Sequence, residues 1–194
     1  MIFTLRELID AVMMTLFIGF IFSRYFRRKP LEDYDPLRHY KKSSLWEDIK
    51  WGALVAAPAV VLHELAHKFV AMAFGAQATL YAPSLFGIPY GMYIFVILLS
   101  YLQFPIVFFV GGYVAHTTLP PLPSALVALA GPLMNLILWL FSILVIKYGL
   151  IKRRYWEAIT LAGKLNMFLF AFNMIPIPGF DGFAFITSLV KAVF

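Results

Sequence analysis

Apolar runs separated by short polar segments dominate the pattern of this chain of 194 residues. The runs cover residues 8–26, 51–74, 91–110, 124–146, 156–174 and 182–194. A helix needs about 20 apolar residues to cross the hydrocarbon core of a bilayer, and most of these runs approach or exceed that length. We therefore predict an all-α polytopic membrane protein of about six transmembrane helices, the last of them short.

Two segments depart from this simple pattern. Residues 76–89 contain two prolines and Gly87 but no charge, which favours a short extended or re-entrant segment after the second helix. Residues 91–110 are apolar but are interrupted by Gln103 and Pro105. The pattern fits both a single kinked span and a hairpin that turns back, and it does not choose between them.

The composition leaves little room for a soluble catalytic domain. Hydrophobic residues make up 62% of the chain and charged residues 13%, and the mean hydropathy is +0.83. Such values exclude an ordinary soluble domain. Any catalytic group must therefore lie in the membrane part. Cysteine is absent, so a bound metal would have to be held by nitrogen and oxygen ligands.

The net charge of +6 is concentrated in two polar segments beside apolar runs. Their basic residues are Arg24, Arg27, Arg28, Lys29, Arg38, Lys41, Lys42 and Lys50 in one segment, and Lys147, Lys152, Arg153 and Arg154 in the other. Clusters of this kind are typical of topology signals and of contacts with lipid headgroups. We therefore expect the lipid bilayer as a partner and no nucleic acid.

The second apolar run carries the residues most suggestive of chemistry. His63 and His67 are four residues apart, so on a helix their imidazoles share one face and can bind one metal ion. Glu64 follows the first histidine and can reach a water molecule on that ion. Ionisable groups at membrane depth are costly and usually mark function, so the location strengthens a short motif.

A catalytic zinc site typically takes three protein ligands, so the histidine pair needs one more. Besides Glu64, the carboxylates between residues 51 and 194 are Glu157 and Asp181. Glu157 follows Arg153 by four residues and is more simply explained as half of a surface ion pair. Asp181 is then the acid that calls for another explanation.

Three motifs together resemble the site-2 proteases, a family of intramembrane zinc metalloproteases. His63-Glu-Leu-Ala-His67 resembles the metal-binding helix of that family. Residues 130–135, which end at Asn135, resemble its Gly-Pro-x-x-Asn helix start. Residues 173–182 resemble its Asn-x-x-Pro-x-Pro-x-Leu-Asp-Gly signature, with Phe180 where leucine is usual. The resemblance extends from about residue 51 to the end of the chain, and it includes no PDZ or CBS domain.

The resemblance implies a zinc ion bound by His63, His67 and Asp181, with Glu64 moving a proton from the attacking water to the leaving amine. It also implies that the Asn173 amide stabilises the oxyanion, and we expect Asn135 nearby as a second amide that contacts the substrate backbone. Residues 51–194 would then be an intramembrane metalloprotease core. Residues 1–50 would be a first transmembrane helix followed by a polar basic connector.

The implied substrate is a transmembrane protein, cleaved within or near its membrane helix by a multi-pass protein of a prokaryotic cell membrane. Such a helix must unwind locally before its peptide bonds are accessible. We expect residues 76–89 to offer an extended edge to the unwound strand. Two other functions fit the same residues: a metal-binding transporter or metallochaperone, and an inert scaffold for transmembrane partners. Glu64 separates the protease from the transporter, because carrying a metal requires no carboxylate aimed at bound water.

Several other polar residues lie near or within the apolar runs. His39 and His116 have no partner at ligand spacing, so we expect no metal role for either. Lys68 is expected to extend toward the interface or to face a water-filled cleft. For Lys164 and Asn166, lining a substrate path and packing against a partner amide are equally plausible.

Overall fold

The computed structural model describes residues 2–23, 44–102 and 111–194. Within these ranges the chain forms six α-helices and one two-stranded sheet. In chain order the elements are α1 Leu5–Ser23, α2 Leu45–Ala73, β1 Ala78–Tyr81, α3 Gly91–Tyr101, β2 Tyr113–His116, α4 Pro121–Lys147, α5 Trp156–Asn173 and α6 Asp181–Val193, with a single 3-10 turn at Arg153–Tyr155 before α5. The predicted helical class is confirmed.

Two helices in the described part of the chain are long and apolar enough to cross a membrane, α2 with 29 residues and α4 with 27. The helix α1 has 19 residues, and its first turns carry Arg6, Glu7 and Asp10. The helix α3 has only 11 residues, which is about 16 Å of rise and too short to cross by itself. The predicted count of about six transmembrane helices therefore stays a prediction.

A capping box sets the start of α2. The Ser44 side chain accepts a hydrogen bond from the Glu47 backbone N–H, and the Glu47 side chain accepts one from the Ser44 backbone. This reciprocal pair satisfies donors that the first helical turn would otherwise leave unpaired. As a result, residues 45–50, which we expected to be part of the polar connector, are helical.

The first two helices pack closely against each other. A Cβ added at Gly52 would lie 2.5 Å from the Gly19 carbonyl oxygen, so glycine is needed where the backbones cross. Ser23 lies beside Gly52, whereas Glu7 lies beside Lys68. The two helices therefore run antiparallel, and both ends of α1 are fixed against α2.

The predicted extended segment contains a true strand. β1 pairs antiparallel with β2, with Ala78 opposite His116 and Tyr81 opposite Tyr113. The chain leaves the sheet at Tyr81 and re-enters it at the directly opposite residue. The segment between the strands therefore starts at residue 82 and ends at residue 112 at the same place in the fold. The choice between a kinked span and a hairpin for residues 91–110 stays open. Residues 103–110 themselves lie outside the described part.

Helices α2 and α4 also run antiparallel. His63 contacts Asn135, and His67, one turn further along α2, contacts Val127 two turns earlier on α4. The Leu45 end of α2 and the Lys147 end of α4 therefore lie on the same side of the fold. In the sequence, both basic segments adjoin these helix ends.

Candidate metal centre

The predicted ligands come together although more than a hundred residues separate them in sequence. His63 and His67 lie on α2, and Asp181 is the first residue of α6. The Nε2 atoms of the two histidines are 3.1 Å apart. The Asp181 Oδ2 atom lies 3.1 Å from Nε2 of His63 and 3.4 Å from Nε2 of His67. The two histidines are buried and Asp181 is half-buried, so the group lies inside the protein.

These distances fit a zinc ion. Ligand atoms about 2.05 Å from a tetrahedral zinc lie about 3.3 Å from one another, which is close to the three separations here. Two imidazole nitrogens and one carboxylate oxygen are also ligands of the type that zinc accepts. Three protein ligands leave a fourth position for water or substrate, the arrangement of a catalytic rather than a structural site.

Hydrogen bonds on the far side of each ring define which nitrogen faces the centre. The Nδ1 atom of His63 lies 2.7 Å from Oδ1 of Asn135, and that of His67 lies 2.7 Å from the Val127 carbonyl oxygen. Both partners are acceptors, so each Nδ1 carries the proton and donates it. Both Nε2 atoms are therefore left with a lone pair for a metal.

Asn135 has a different environment from the one we expected. Its side chain is fully buried, and its amide nitrogen donates to the Ala59 carbonyl at 2.8 Å and to Oδ1 of Asn166 at 2.9 Å. Both amide hydrogens and the oxygen facing His63 are thus in use within the protein. These bonds place Asn135 where it can orient the His63 imidazole, with Asn166 as its buried partner amide. The expected contact with substrate backbone stays a prediction.

The motif at residues 130–135 also has a steric explanation. Gly131 lies one turn before Asn135 on α4, directly against the histidine pair. A Cβ added there would lie 2.6 Å from Nε2 of His63 and closer still to Nε2 of His67. Any larger residue would therefore clash with both imidazoles. Glycine allows α4 to approach the ligands, and Asn135 then reaches the first ring.

Asp181 is brought to the histidines by a close contact between α5 and α6. A Cβ at Gly182 would lie 2.5 Å from the Met174 carbonyl carbon, just past the end of α5. The turn between these helices contains Pro176 and Pro178, which end α5, and Gly179 at φ +99°. The predicted role of the glycine after the acid, close packing, is what the structure shows.

The three ligands open into a cavity of about 650 Å³. Glu64, which is buried, and Asn173, which is half-buried, both line this cavity. The two residues predicted for proton transfer and oxyanion stabilisation therefore share one space with the metal ligands. Their catalytic roles stay predictions.

Much of the cavity wall was not predicted. Phe22 at the end of α1 contributes to it, as do Tyr113, Val114 and His116 of β2. His116 lies outside the group of three candidate ligands, and its lack of a metal role stays a prediction. No sequence motif marks His116 as part of the cavity wall, because only the pairing of β1 with β2 brings it to the cavity.

Lys68 does not reach the interface as we expected. It is 1% exposed and pairs with the equally buried Glu7 of α1. The acid lies at the start of the first apolar run, far away in sequence, so the sequence pattern offered no signal for this partner. Lys164, by contrast, is exposed, and the predicted path-lining role has no support from the cavity wall.

Comparison with known proteins agrees with this geometry. The sequence profile of Peptidase family M50 matches residues 51–152, more than half of the chain. The chain belongs to peptidase family M50. A protein of Methanocaldococcus jannaschii, named as a candidate zinc metalloprotease, is 33% identical to this chain over 183 residues. These residues are 93% of this chain and 83% of that protein. No solved structure matches this M50 chain.

Membership in the M50 family makes the chain a zinc metalloprotease, as predicted. The matched range contains both histidines and Asn135 but ends before Asp181. In the structure, Asp181 lies beside the two histidines and completes the group of three residues that can hold the metal.

We expect Asn135→Leu to weaken zinc binding by about 10- to 100-fold, since it removes the acceptor that orients His63. Zinc affinity can be measured by competition with a chelator on detergent-purified protein. Asn166→Ala leaves the bond to His63 in place and serves as the matched control, with affinity expected within about threefold of the native protein. Native zinc affinity in Asn135→Leu would contradict this assignment.

Proposed function

We propose that this metalloprotease is an intramembrane endopeptidase that hydrolyses peptide bonds within or near transmembrane helices of other proteins. The observation that carries the proposal is the position of the metal centre inside a helix of membrane length. At 1.5 Å per residue, His63 lies about 27 Å along α2 from Leu45 and about 15 Å from Ala73. Neither end of the helix is near the ligands, so the reaction takes place below the lipid surface.

The residues of the cavity can divide the chemistry among them. A zinc ion held by the three ligands would act as a Lewis acid and lower the pKa of a water molecule to about 7. Glu64 takes the proton of the attacking water and passes it to the leaving amine. The Asn173 amide donates to the oxygen of the tetrahedral intermediate, and loss of such a donor typically costs about 2.7–4 kcal/mol of transition-state stabilisation.

The sheet edge that lines the cavity belongs to β2, whereas the segment we expected, residues 76–89, contributes no residue to the cavity wall. The Thr117 N–H donates to the Gln77 carbonyl at 3.0 Å. Hydrogen-bonded pairs alternate along an antiparallel ladder, so the backbone groups of Val114 and His116 point away from β1. On the other side of β1, the Leu80 N–H already donates to Glu7.

An unwound substrate strand can therefore add to β2 next to the metal centre. Val114 and His116 both line the cavity that contains Glu64 and the ligands. Strand addition uses backbone hydrogen bonds, so it accepts many side-chain sequences. It also holds the substrate in the extended form that a helix lacks, which exposes the carbonyl to attack.

The expected setting is a multi-pass protein of a prokaryotic cell membrane, with a transmembrane protein as substrate and the bilayer around both. The two long apolar helices and the many exposed large apolar side chains on α1, α3 and α4 support this setting. The rival function, a metal transporter or metallochaperone, is less well supported. It gives no reason for Glu64 to share the cavity with the ligands.

Glu64→Gln provides the central test. We expect the variant to lose cleavage of a purified model transmembrane helix in detergent or proteoliposomes by a factor of about 100 or more, because glutamine cannot accept the proton. Bound zinc, measured by elemental analysis, should stay near that of the native protein. Native cleavage by Glu64→Gln, or transport of zinc without proteolysis by the native protein, would refute the proposed function.

The substrate edge can be tested by Val114→Pro. Proline removes the N–H that points away from β1 while leaving the ladder bonds of the sheet, as edge positions permit. We expect kcat/KM for a transmembrane substrate to fall about tenfold, which is about 1.4 kcal/mol and corresponds to one lost hydrogen bond. Val114→Ala keeps the N–H and should retain native activity with the same zinc content. Equal activity of the two variants would contradict strand addition at β2.

The absence of cysteine allows the topology to be tested by single-cysteine labelling. Ser44→Cys and Lys152→Cys should react with a membrane-impermeant maleimide from the same side of sealed vesicles. Gln77→Cys, at the other end of α2, should react from the opposite side. Labelling of positions 44 and 152 from opposite sides would contradict the antiparallel crossing of α2 and α4.

A further inference from the structure

A buried ion pair joins the first helix to the metal-binding helix. Lys68, the residue directly after the ligand His67, pairs with Glu7, and their side chains are 1% and 2% exposed. Successive helical residues point about 100° apart, so Lys68 faces α1 while His67 faces the cavity. Neither member of the pair lines the cavity. Any effect on the reaction must therefore pass through another part of the structure.

The Glu7 carboxylate joins three elements. Its Oε1 atom accepts from the Lys68 ammonium and, at 2.9 Å, from the Leu80 backbone N–H of β1. Its Oε2 atom accepts from the Thr4 backbone N–H at 2.8 Å and from the Thr4 hydroxyl at 3.2 Å. The Lys68 ammonium also lies 4.7 Å from the centre of the Phe3 ring. Through this one carboxylate, α1 holds β1 against α2.

Stability alone gives little reason for such a pair. Removing two charges from water costs several kcal/mol for each ion, and apolar residues of similar volume often serve equally well or better. The contact with Leu80 is what an apolar pair could not provide. It ties the outer side of β1 to α1 at Leu80, whereas β2 is the strand that lines the cavity beside the metal centre.

We propose that Glu7 and Lys68 are positioning residues for proteolysis: Glu7, held by Lys68, anchors β1 through the Leu80 N–H and thereby sets where the β2 edge lies relative to the metal ligands. This inference rests on the proposed function, since it concerns how a substrate strand on β2 is aligned. A displacement of about 1 Å at a reacting centre can cost about 100-fold in rate. The anchor therefore acts mainly on kcat rather than on substrate binding.

The double variant Glu7→Leu/Lys68→Met tests the anchor without leaving a single charge buried. Two readouts are needed: steady-state cleavage of a model transmembrane helix, and amide hydrogen exchange of the peptide that contains residues 78–81. We expect kcat to fall about tenfold or more with KM within about threefold. Exchange at Leu80 should become at least about tenfold faster, because its N–H has lost the acceptor. Zinc content and the thermal unfolding midpoint should change little.

Three further variants separate the anchor from a general structural role. Lys68→Arg keeps the carboxylate and its partner charge, so it should behave like the native protein in both readouts. The reversed pair, Glu7→Lys/Lys68→Glu, restores the attraction between the helices, but a lysine at position 7 cannot accept from Leu80. Its kcat should stay low and its exchange fast. Lys164→Met removes an exposed lysine and serves as the matched control, with both readouts unchanged.

Each contrary outcome has a distinct meaning. Native exchange at Leu80 in the double variant would overturn the anchor, as would native kcat despite faster exchange. Recovery of both readouts in the reversed pair would show that helix pairing alone matters, which also overturns the role given to Leu80. If the native protein itself leaves the model helix intact, the proposed function fails. The exchange measurement would still decide whether Glu7 holds the strand.

Discussion

Hydrogen bonds between α2 and α4 are what allow a polar site to exist among apolar helices. His63 donates to Asn135, and His67 donates to the Val127 carbonyl. Each unpaired polar group in such surroundings would cost several kcal/mol. The same bonds orient both free Nε2 atoms toward one point. The same two hydrogen bonds therefore hold α2 against α4 and orient the metal ligands.

Close backbone contacts complete the arrangement. Gly131 permits α4 to approach the histidines, and Gly182 permits α6 to begin against the end of α5. A third contact lies between α4 and α5, where Gly163 faces Ser142. Small residues let helices approach closely where there is no hydrophobic drive between them. Asp181 reaches the histidines because these contacts fix α6 relative to α4.

The sheet adds an element that is unusual inside a bundle of apolar helices. On its outer side the Leu80 N–H of β1 donates to Glu7, while β2 lines the cavity that contains Glu64. One side of this small sheet is thus attached to α1, and the other faces the site. Irregular or strand backbone among apolar helices is tolerated where it is buried in protein or lines a cavity, and the sheet contains residues of both kinds.

Local chemistry decided much of what could be predicted from the sequence. Helical spacing places His63 and His67 on one face whatever the rest of the chain does, and apolar runs of span length specify helices. The motif around Asp181 identified the third ligand through a resemblance to known proteases. These features depend on residues close together in the chain, so the sequence pattern contains them.

Contacts between distant residues were decided by the tertiary structure. The role of Asn135 depended on which ring it meets, and sequence motifs do not state the direction in which an amide points. The Glu7–Lys68 pair and the edge of β2 arise only when α1, β1 and β2 pack together. Packing of separate elements selects one partner among many of similar chemistry. The sequence by itself thus determined the ligands and the helices, whereas the fold decided what orients the ligands and which strand lines their cavity.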